Sequence, residues 1–308
     1  MIAALLASVA PIALLIALGW ELRRRKVLSD PFWAQAERLS YYILLPALFV
    51  HGLATAKLDG LPIKAMVATL VCSTTIVALV VLATRRKAGV GDPAFTSIFQ
   101  GGIRFNNYVG ISAAAGLLGA QGVALAAVAN AAIIPTVNVL CVLVFARYGN
   151  IGQLSLKNVL KQLALNPLVV ASVIGIVLKT TDFPLPGVLE QVLKSLGQAS
   201  LPLGLLCVGA ALDFGAARTW MRPTIFASVF KFALMPLVTV LACHVFNLSG
   251  PAATAAIIFQ ALPTASSSYI MARQLGGDAP LMAGIIAVQT VIAGISLPAS
   301  VLLLTSWL

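Results

Sequence analysis

Apolar positions in this chain come in long blocks rather than in short alternations. Runs of about 17 to 25 residues are separated by brief polar stretches, the length at which a helix crosses roughly 30 Å of hydrocarbon. The pattern predicts ten such spans: Ile2 to Trp20, Leu39 to Ala56, Pro62 to Thr84, Ala94 to Leu118, Val123 to Ala146, Leu163 to Thr180, Val188 to Leu212, Pro223 to Leu248, Pro251 to Leu275 and Leu281 to Leu304. The period-two alternation of a membrane β-barrel is absent. Composition agrees: of 308 residues 60% are hydrophobic and 9% charged, with mean hydropathy +1.01, whereas soluble domains are about 25% charged. The expected fold class is therefore all-α and integral to a membrane.

The first span is preceded by no positive charge and followed by Arg23, Arg24, Arg25 and Lys26, the reverse of a signal peptide's order. It is read as a retained helix with its N-terminus outside. The loops after spans 1, 3, 5, 7 and 9 are then cytoplasmic. They carry Arg23 to Lys26, Arg38, Arg85 to Lys87, Arg147, Lys157, Lys161, Arg218, Arg222 and Arg273, against Lys57, Lys64, Lys179 and Lys194 on the other side, or 14 to 4. This bias predicts both termini outside. It also accounts for most of the net charge of +11, and no basic stretch is interleaved with aromatics, so a nucleic-acid partner is not expected. Cys72, Cys141, Cys207 and Cys243 are scattered singly through the spans and read as small buried hydrophobes, not as a metal or redox site. No cofactor is called for.

One offset recurs along the chain. Ala10-Pro11 pairs with Asn166-Pro167, Leu45-Pro46 with Leu201-Pro202, and Asn107 with Pro263; 167−11, 202−46 and 263−107 are each 156. Ser112 falls on Ser268 at the same offset. This pattern reads as a duplication: residues 1–156 hold spans 1 to 5 and residues 157–308 hold spans 6 to 10. Because five is odd, the second repeat lies inverted in the membrane. Inverted repeats typify secondary transporters, whose sites lie near the midplane between discontinuous helices. Spans 4 and 9 carry the interruptions, in FQGGIRFNNYVGIS from Phe99 and FQALPTASSSYIM from Phe259. Gly101, Gly102 and Gly110 weaken the one helix as candidate hinges, and Pro263 breaks the other. Unwound backbone at that depth is tolerated only where it lines a protein-buried or watery cavity, and the freed helix N-termini favour an anion.

The ten-span plan, IRFNNYVG in span 4, NPLVVASVIGIVL opening the second half, SLPLGLLCVGAAL in span 7, KFALMPL in span 8 and ALPTASSSYIMARQLG in span 9 together resemble bacterial members of the auxin efflux carrier family. The likeness runs over essentially the whole chain. It implies a fold like that of PIN-type carriers and bile acid/sodium symporters, with spans 1, 2, 6 and 7 as a scaffold and spans 3 to 5 and 8 to 10 as an elevator-type transport domain. It further implies that helices 4 and 9 cross at the site, that Asn106 and Asn107 are the polar pair of the first crossover, that Pro263 is the proline of the second, and that Lys231 occupies a basic position of span 8. A homodimer through the scaffold and a bacterial inner-membrane location follow from the same resemblance. The chain departs from it at Phe105, where PIN-type carriers have a proline and malonate-carrier-like relatives a Pro-Asn pair, so malonate is no default substrate.

All nine acids, Glu21, Asp30, Glu37, Asp59, Asp92, Asp182, Glu190, Asp213 and Asp278, fall in loops or at span ends, while Arg104 and Lys231 lie within spans. An ionisable group inside a span is costly and usually functional. A cation site of the related folds needs an internal carboxylate, whereas an anion site needs donors and a positive charge. The expected substrate is a small organic anion, a carboxylate, exported on the membrane potential. The expected binding residues are Arg104, Asn106, Asn107, Gln260, Pro263, Ser266, Ser267 and Ser268, with Lys231 as charge carrier or proton carrier. Gln260 equals Arg104 plus 156 and is expected to face the same cavity. Each has a structural alternative: Arg104 and Lys231 as braces for free carbonyls, the serines bonded only to their own backbone. Asn130, Asn138 and Gln289 read as interhelical glue, and His51 and His244 as structural histidines.

An intramembrane enzyme would need a nucleophile with a base, a carboxylate pair or a metal cluster within the spans, and two scattered histidines with no internal acid do not supply one. A sensor would be expected to append a signalling domain, and the longest loop, about Arg147 to Gln162, is too short for it. A sodium- or proton-coupled symporter of the same anion stays open, since Asn, Ser, Thr and carbonyl oxygens can hold sodium.

Overall fold

The computed structural model describes residues 2–55, 61–149, 165, 167–181, 184–304 and 307. Leu163, Asn166 and the loop residues Lys57, Asp59, Lys157, Lys161 and Asp182 lie outside these. Every regular element among the described residues is helical. The helices are α1 (Ile2–Arg24), α2 (Asp30–Leu39), α3 (Leu45–Ala54), α4 (Ile63–Ala83), α5 (Asp92–Ile103), α6 (Asn107–Tyr148), α7 (Pro167–Thr180), α8 (Gly187–Ala210), α9 (Phe214–Thr219), α10 (Met221–Val229), α11 (Met235–Val245), α12 (Gly250–Gln260), α13 (Ser267–Gln274) and α14 (Ala279–Leu304). Five stretches are long and apolar enough to cross a membrane: Ile63–Ala83, Asp92–Tyr148, Gly187–Ala210, Met221–Val245 and Ala279–Leu304; Pro167–Thr180 is a shorter apolar helix. Helix satisfies its backbone hydrogen bonds within the segment, and is therefore a form in which such stretches can sit in hydrocarbon.

Departures from regular helix have local causes. α6 turns at Gly119, whose φ of 59° and ψ of −141° lie where a side chain would be strained; it separates residues 107–118 from 120–148. Two π-turns, Ser40–Leu44 and Phe230–Leu234, join α2 to α3 and α10 to α11. Each is followed by a helix whose second residue is proline, Pro46 and Pro236, a residue that cannot donate to the preceding turn. α2 is amphipathic, DPFWAQAERL, and buries Trp33 and Ala36.

The chain divides into two compact units, the first Met1–Leu61, Tyr108–Ala131 and Gln162–Ala210, the second Pro62–Asn107, Ala132–Lys161 and Ala211–Leu308. In the first, α1 and α2 pack on α8, and α3 packs on α7 and α8. Glycine sets these distances. A Cβ at Gly19 would overlap the Leu206 carbonyl, and one at Gly209 the Ile16 carbonyl, so α1 and α8 touch backbone to backbone. Close approach through small residues is how helices associate where lipid removes the hydrophobic drive.

In the second unit, α4 packs on α5, α11 and α12, and α14 packs on α5, α10, α12 and α13. Ala94, Ile98, Ala227, Ala272, Leu281, Met282, Ile285 and Ile286 form a core between these helices. α5 and α12 both end in mid-sequence of a longer apolar run, and those endings build the site.

Candidate functional site

α5 stops at Ile103. Arg104 is extended, with φ −74° and ψ 161°, and helix resumes at Asn107. α12 stops at Gln260, with Ala261 as its cap, and helix resumes at Ser267. Pro263 lies inside the second gap, as its missing donor requires. The first gap forms without a proline. Its backbone is satisfied by the other gap: the Asn106 N–H donates to the Pro263 carbonyl at 2.8 Å. Gly101 and Gly102 lie in the last turns of α5 and Gly110 in α6, so the break itself is made by Arg104, Phe105 and Asn106. The service of Gly101 is close approach, since a Cβ there would come within 2.7 Å of Ile285 Cγ2 on α14.

A single side chain on α14 spans both gaps. Gln289 is fully buried; its Nε2 donates to the Gly101 carbonyl at 2.9 Å, and its Oε1 accepts from the Thr264 N–H at 3.0 Å. Both partners are backbone groups that the helix ends leave without an intrahelical mate.

Arg104, half-buried, projects from the first gap. Nη1 donates to Asn138 Oδ1 at 3.1 Å and meets Met271 Sδ at 3.3 Å, while Nη2 donates to Ser267 Oγ at 3.2 Å. Its Nε is buried and has no partner among the described residues. Among the described residues no ion pair joins it to a carboxylate; the pairs formed there, Arg23–Asp30, Arg24–Glu21, Arg25–Glu21, His51–Glu190 and Arg85–Asp92 among them, lie elsewhere. Its charge is thus oriented by neutral groups and not cancelled. The positive ends of α6 and α13 begin at the same two gaps.

The expected site residues separate into two groups. Arg104, Asn106, Pro263 and Ser267 are joined by the bonds above. Asn107, partly exposed, keeps its Oδ1 buried without a partner among the described residues. Ser268 is buried and shares a 3.4 Å contact with Thr264 Oγ1, and Ser266 is half-buried at the start of α13. Gln260 is placed elsewhere: its Nε2 donates to Ser73 Oγ at 2.9 Å, Thr74 Oγ1 at 2.8 Å and the Leu70 carbonyl at 3.3 Å, all on α4. Its amide is engaged with α4 and not with Arg104. Lys231 sits in the second π-turn, wholly buried, with no partner for Nζ among the described residues. Among those residues no three His, Cys, Asp or Glu side chains are grouped as a metal site would need.

Sequence reasoning did not assign Asn138, Met271 and Gln289 to the site. Asn138 and Gln289 were legible as amides in apolar spans, but which backbone or side chain they meet is set by packing. Asn130, by contrast, donates its amide to the Ala126 carbonyl of its own helix.

Comparison with known proteins gives this arrangement its context. Residues 151–301 match the family described as membrane transport protein. A protein of Methanothermobacter thermautotrophicus, described as an uncharacterized transporter, is 20% identical over 293 residues, covering 94% of this chain and 95% of its own. Another uncharacterized transporter, from Methanocaldococcus jannaschii, is 24% identical over 186 residues, 59% of each chain. The resemblance seen in the sequence holds at the level of family. Over residues 151–301 the chain is thus similar to the membrane transport protein family, and this similarity points to a multi-pass membrane transporter rather than an enzyme.

Proposed function

We propose that the protein is a secondary transporter that exports a small organic anion, a carboxylate, on the membrane potential. The observation that carries this reading is Arg104: a guanidinium at a helix break whose partners, Asn138, Met271 and Ser267, are all neutral. A guanidinium offers planar paired donors that match a carboxylate. An arginine kept to brace structure is commonly matched by an acid, because a buried unpaired charge is expensive.

In this reading the two gaps are the crossovers of two inverted five-span repeats within ten membrane spans. Spans 1, 2, 6 and 7 form the scaffold of a homodimer, and the remainder moves as an elevator. Both termini lie outside a bacterial inner membrane. Asn107, Ser266 and Ser268 complete the surface that meets the substrate. With Arg104 unneutralised, the empty site bears one positive charge and the site loaded with a monocarboxylate bears none. The potential then acts on the empty return. Each charge moved gains about 2.3 kcal/mol per 100 mV, so no coupling ion is required.

A second reading, proton-coupled symport of the same anion, is favoured by Lys231, whose buried amine has no partner among the described residues. Transient currents from purified protein in proteoliposomes on a solid-supported membrane separate the two. Addition of mono- and dicarboxylates in sodium-free buffer at fixed pH is expected to move negative charge with at least one anion. Current that arises only with a proton or sodium gradient would overturn uncoupled export.

A further inference from the structure

Gln289 carries an inference beyond its place in the packing. It is the only amide in the α14 sequence, it is fully buried, and both ends of its side chain are committed to backbone groups of the two gaps. The Gly101 carbonyl would, in an unbroken α5, accept from the amide of Phe105, but the chain leaves the helix at Arg104. The Thr264 N–H lies past the end of α12 and has no helical acceptor. An unmet buried backbone group costs free energy comparable to a lost hydrogen bond, so each gap on its own would tend to close up or draw in water. Gly101, bare of a Cβ against Ile285, lets the end of α5 come near enough to α14 for this bond, since Ile285 lies one turn before Gln289.

The two gaps are thus tied twice, once directly through Asn106 N–H to the Pro263 carbonyl at 2.8 Å and once through Gln289. One tie leaves a swivel; two fix a separation and an angle. We infer that Gln289 is a positioning residue that clamps the two gaps to each other through a side chain on an uninterrupted helix, so that the groups they present keep one mutual geometry when that part of the protein moves. Its functional meaning rests on reading the gaps as the binding surface, but the clamp itself does not need that reading to be tested.

The test is hydrogen–deuterium exchange with mass spectrometry on the full chain in nanodiscs. Gln289→Met keeps the volume of the side chain and removes donor and acceptor together. The peptide covering residues 261–267 is expected to exchange roughly threefold to tenfold faster, because the Thr264 N–H loses its acceptor, and the peptide covering 104–107 is expected to exchange faster with it, because the Asn106 N–H bond to Pro263 is no longer held in place from α14. Gln289→Glu retains an acceptor for the Thr264 N–H in either protonation state, and is expected to restore protection of the 261–267 peptide. The inference is overturned if Gln289→Met leaves both peptides at the parental rate, if it speeds exchange only within α14, or if Gln289→Glu fails to restore the second gap. These outcomes are read without substrate, so a failure of anion transport and a failure of the clamp are told apart.

Discussion

Asn106 and Pro263, 157 residues apart in sequence, share one backbone hydrogen bond of 2.8 Å. Each supplies what the other lacks. The amide of Asn106 has left the helix of α5, and the carbonyl of Pro263 has left that of α12. Two helix ends that would be costly alone in a nonaqueous interior satisfy each other.

Replacing Pro263 tests that exchange. Pro263→Ala restores an N–H and removes the ring that bars helix, a bias worth about 3 kcal/mol toward extending α12. The carbonyl at 263 would then turn along the helix axis, away from Asn106. Turnover is expected to fall while the protein remains folded. Parental turnover in the proteoliposome assay would refute a role for the second gap in transport.

Arg104→Gln keeps hydrogen-bonding capacity and removes the charge. A charge-assisted hydrogen bond contributes about 1.5–3 kcal/mol, so anion binding should weaken by about tenfold to a hundredfold. Arg104→Lys should recover part of this, because the ammonium keeps the charge but loses the planar fork. Half-saturating concentrations from the current amplitudes check both. Equal affinity in all three proteins would make Arg104 a brace and not a ligand.

Lys231 separates burial from function. Exchanging a buried charge for an apolar side chain of similar volume is commonly neutral or stabilising, and Nζ has no partner among the described residues whose loss would have to be made good. Lys231→Met is therefore expected to unfold at the parental temperature or above it in a detergent thermal-shift assay. Its current should differ from the parent's if the lysine carries charge during transport. A clear drop in unfolding temperature would mean that the ammonium is held by a counter-charge.

Gly209→Leu addresses the first unit. Its side chain would meet the Ile16 backbone carbonyl on α1, an atom that cannot swing aside, and overpacking a close contact costs about 1–3 kcal/mol. A lowered unfolding temperature, with the variant still inserted in membranes, is the expected result. An unchanged value would mean that α1 lifts off α8 without penalty.

The helices were legible where physics is local. Apolar runs mark α4, α8 and α14 within a few residues, and Pro263 marks the second gap. α2 escaped because its ten residues mix Asp30, Gln35, Glu37 and Arg38 with Trp33, leaving no apolar run to see, although Asp30-Pro31 is a recognisable helix start. The first gap was suggested by glycines that prove helical. Its actual acceptor is a carbonyl from the other end of the chain, which no local pattern encodes. Gln260 shows a related limit: a sequence offset shared with Arg104 does not orient a side chain, and Ser73 and Thr74 on α4 engage its amide. Charge was the more durable signal. An arginine in a span with no acid near it in sequence is, among the described residues, also one that forms no ion pair.

The π-turn at Phe230–Leu234 acts as a phase correction. One extra residue in a turn rotates all that follows by about 100° relative to an ideal helix. Up to its second residue, Thr224, Ser228 and Lys231 follow one another at helical spacing, all buried. Continued without a slip, Thr239 would swing about 80° away from Lys231; with the slip it returns to within about 20°. Thr239 and Cys243 are indeed fully buried. The surplus residue thus keeps a single inward side along the 25 residues of Met221–Val245, and removing one residue from the turn would rotate the far half of that span, threonine and cysteine included, toward its surroundings.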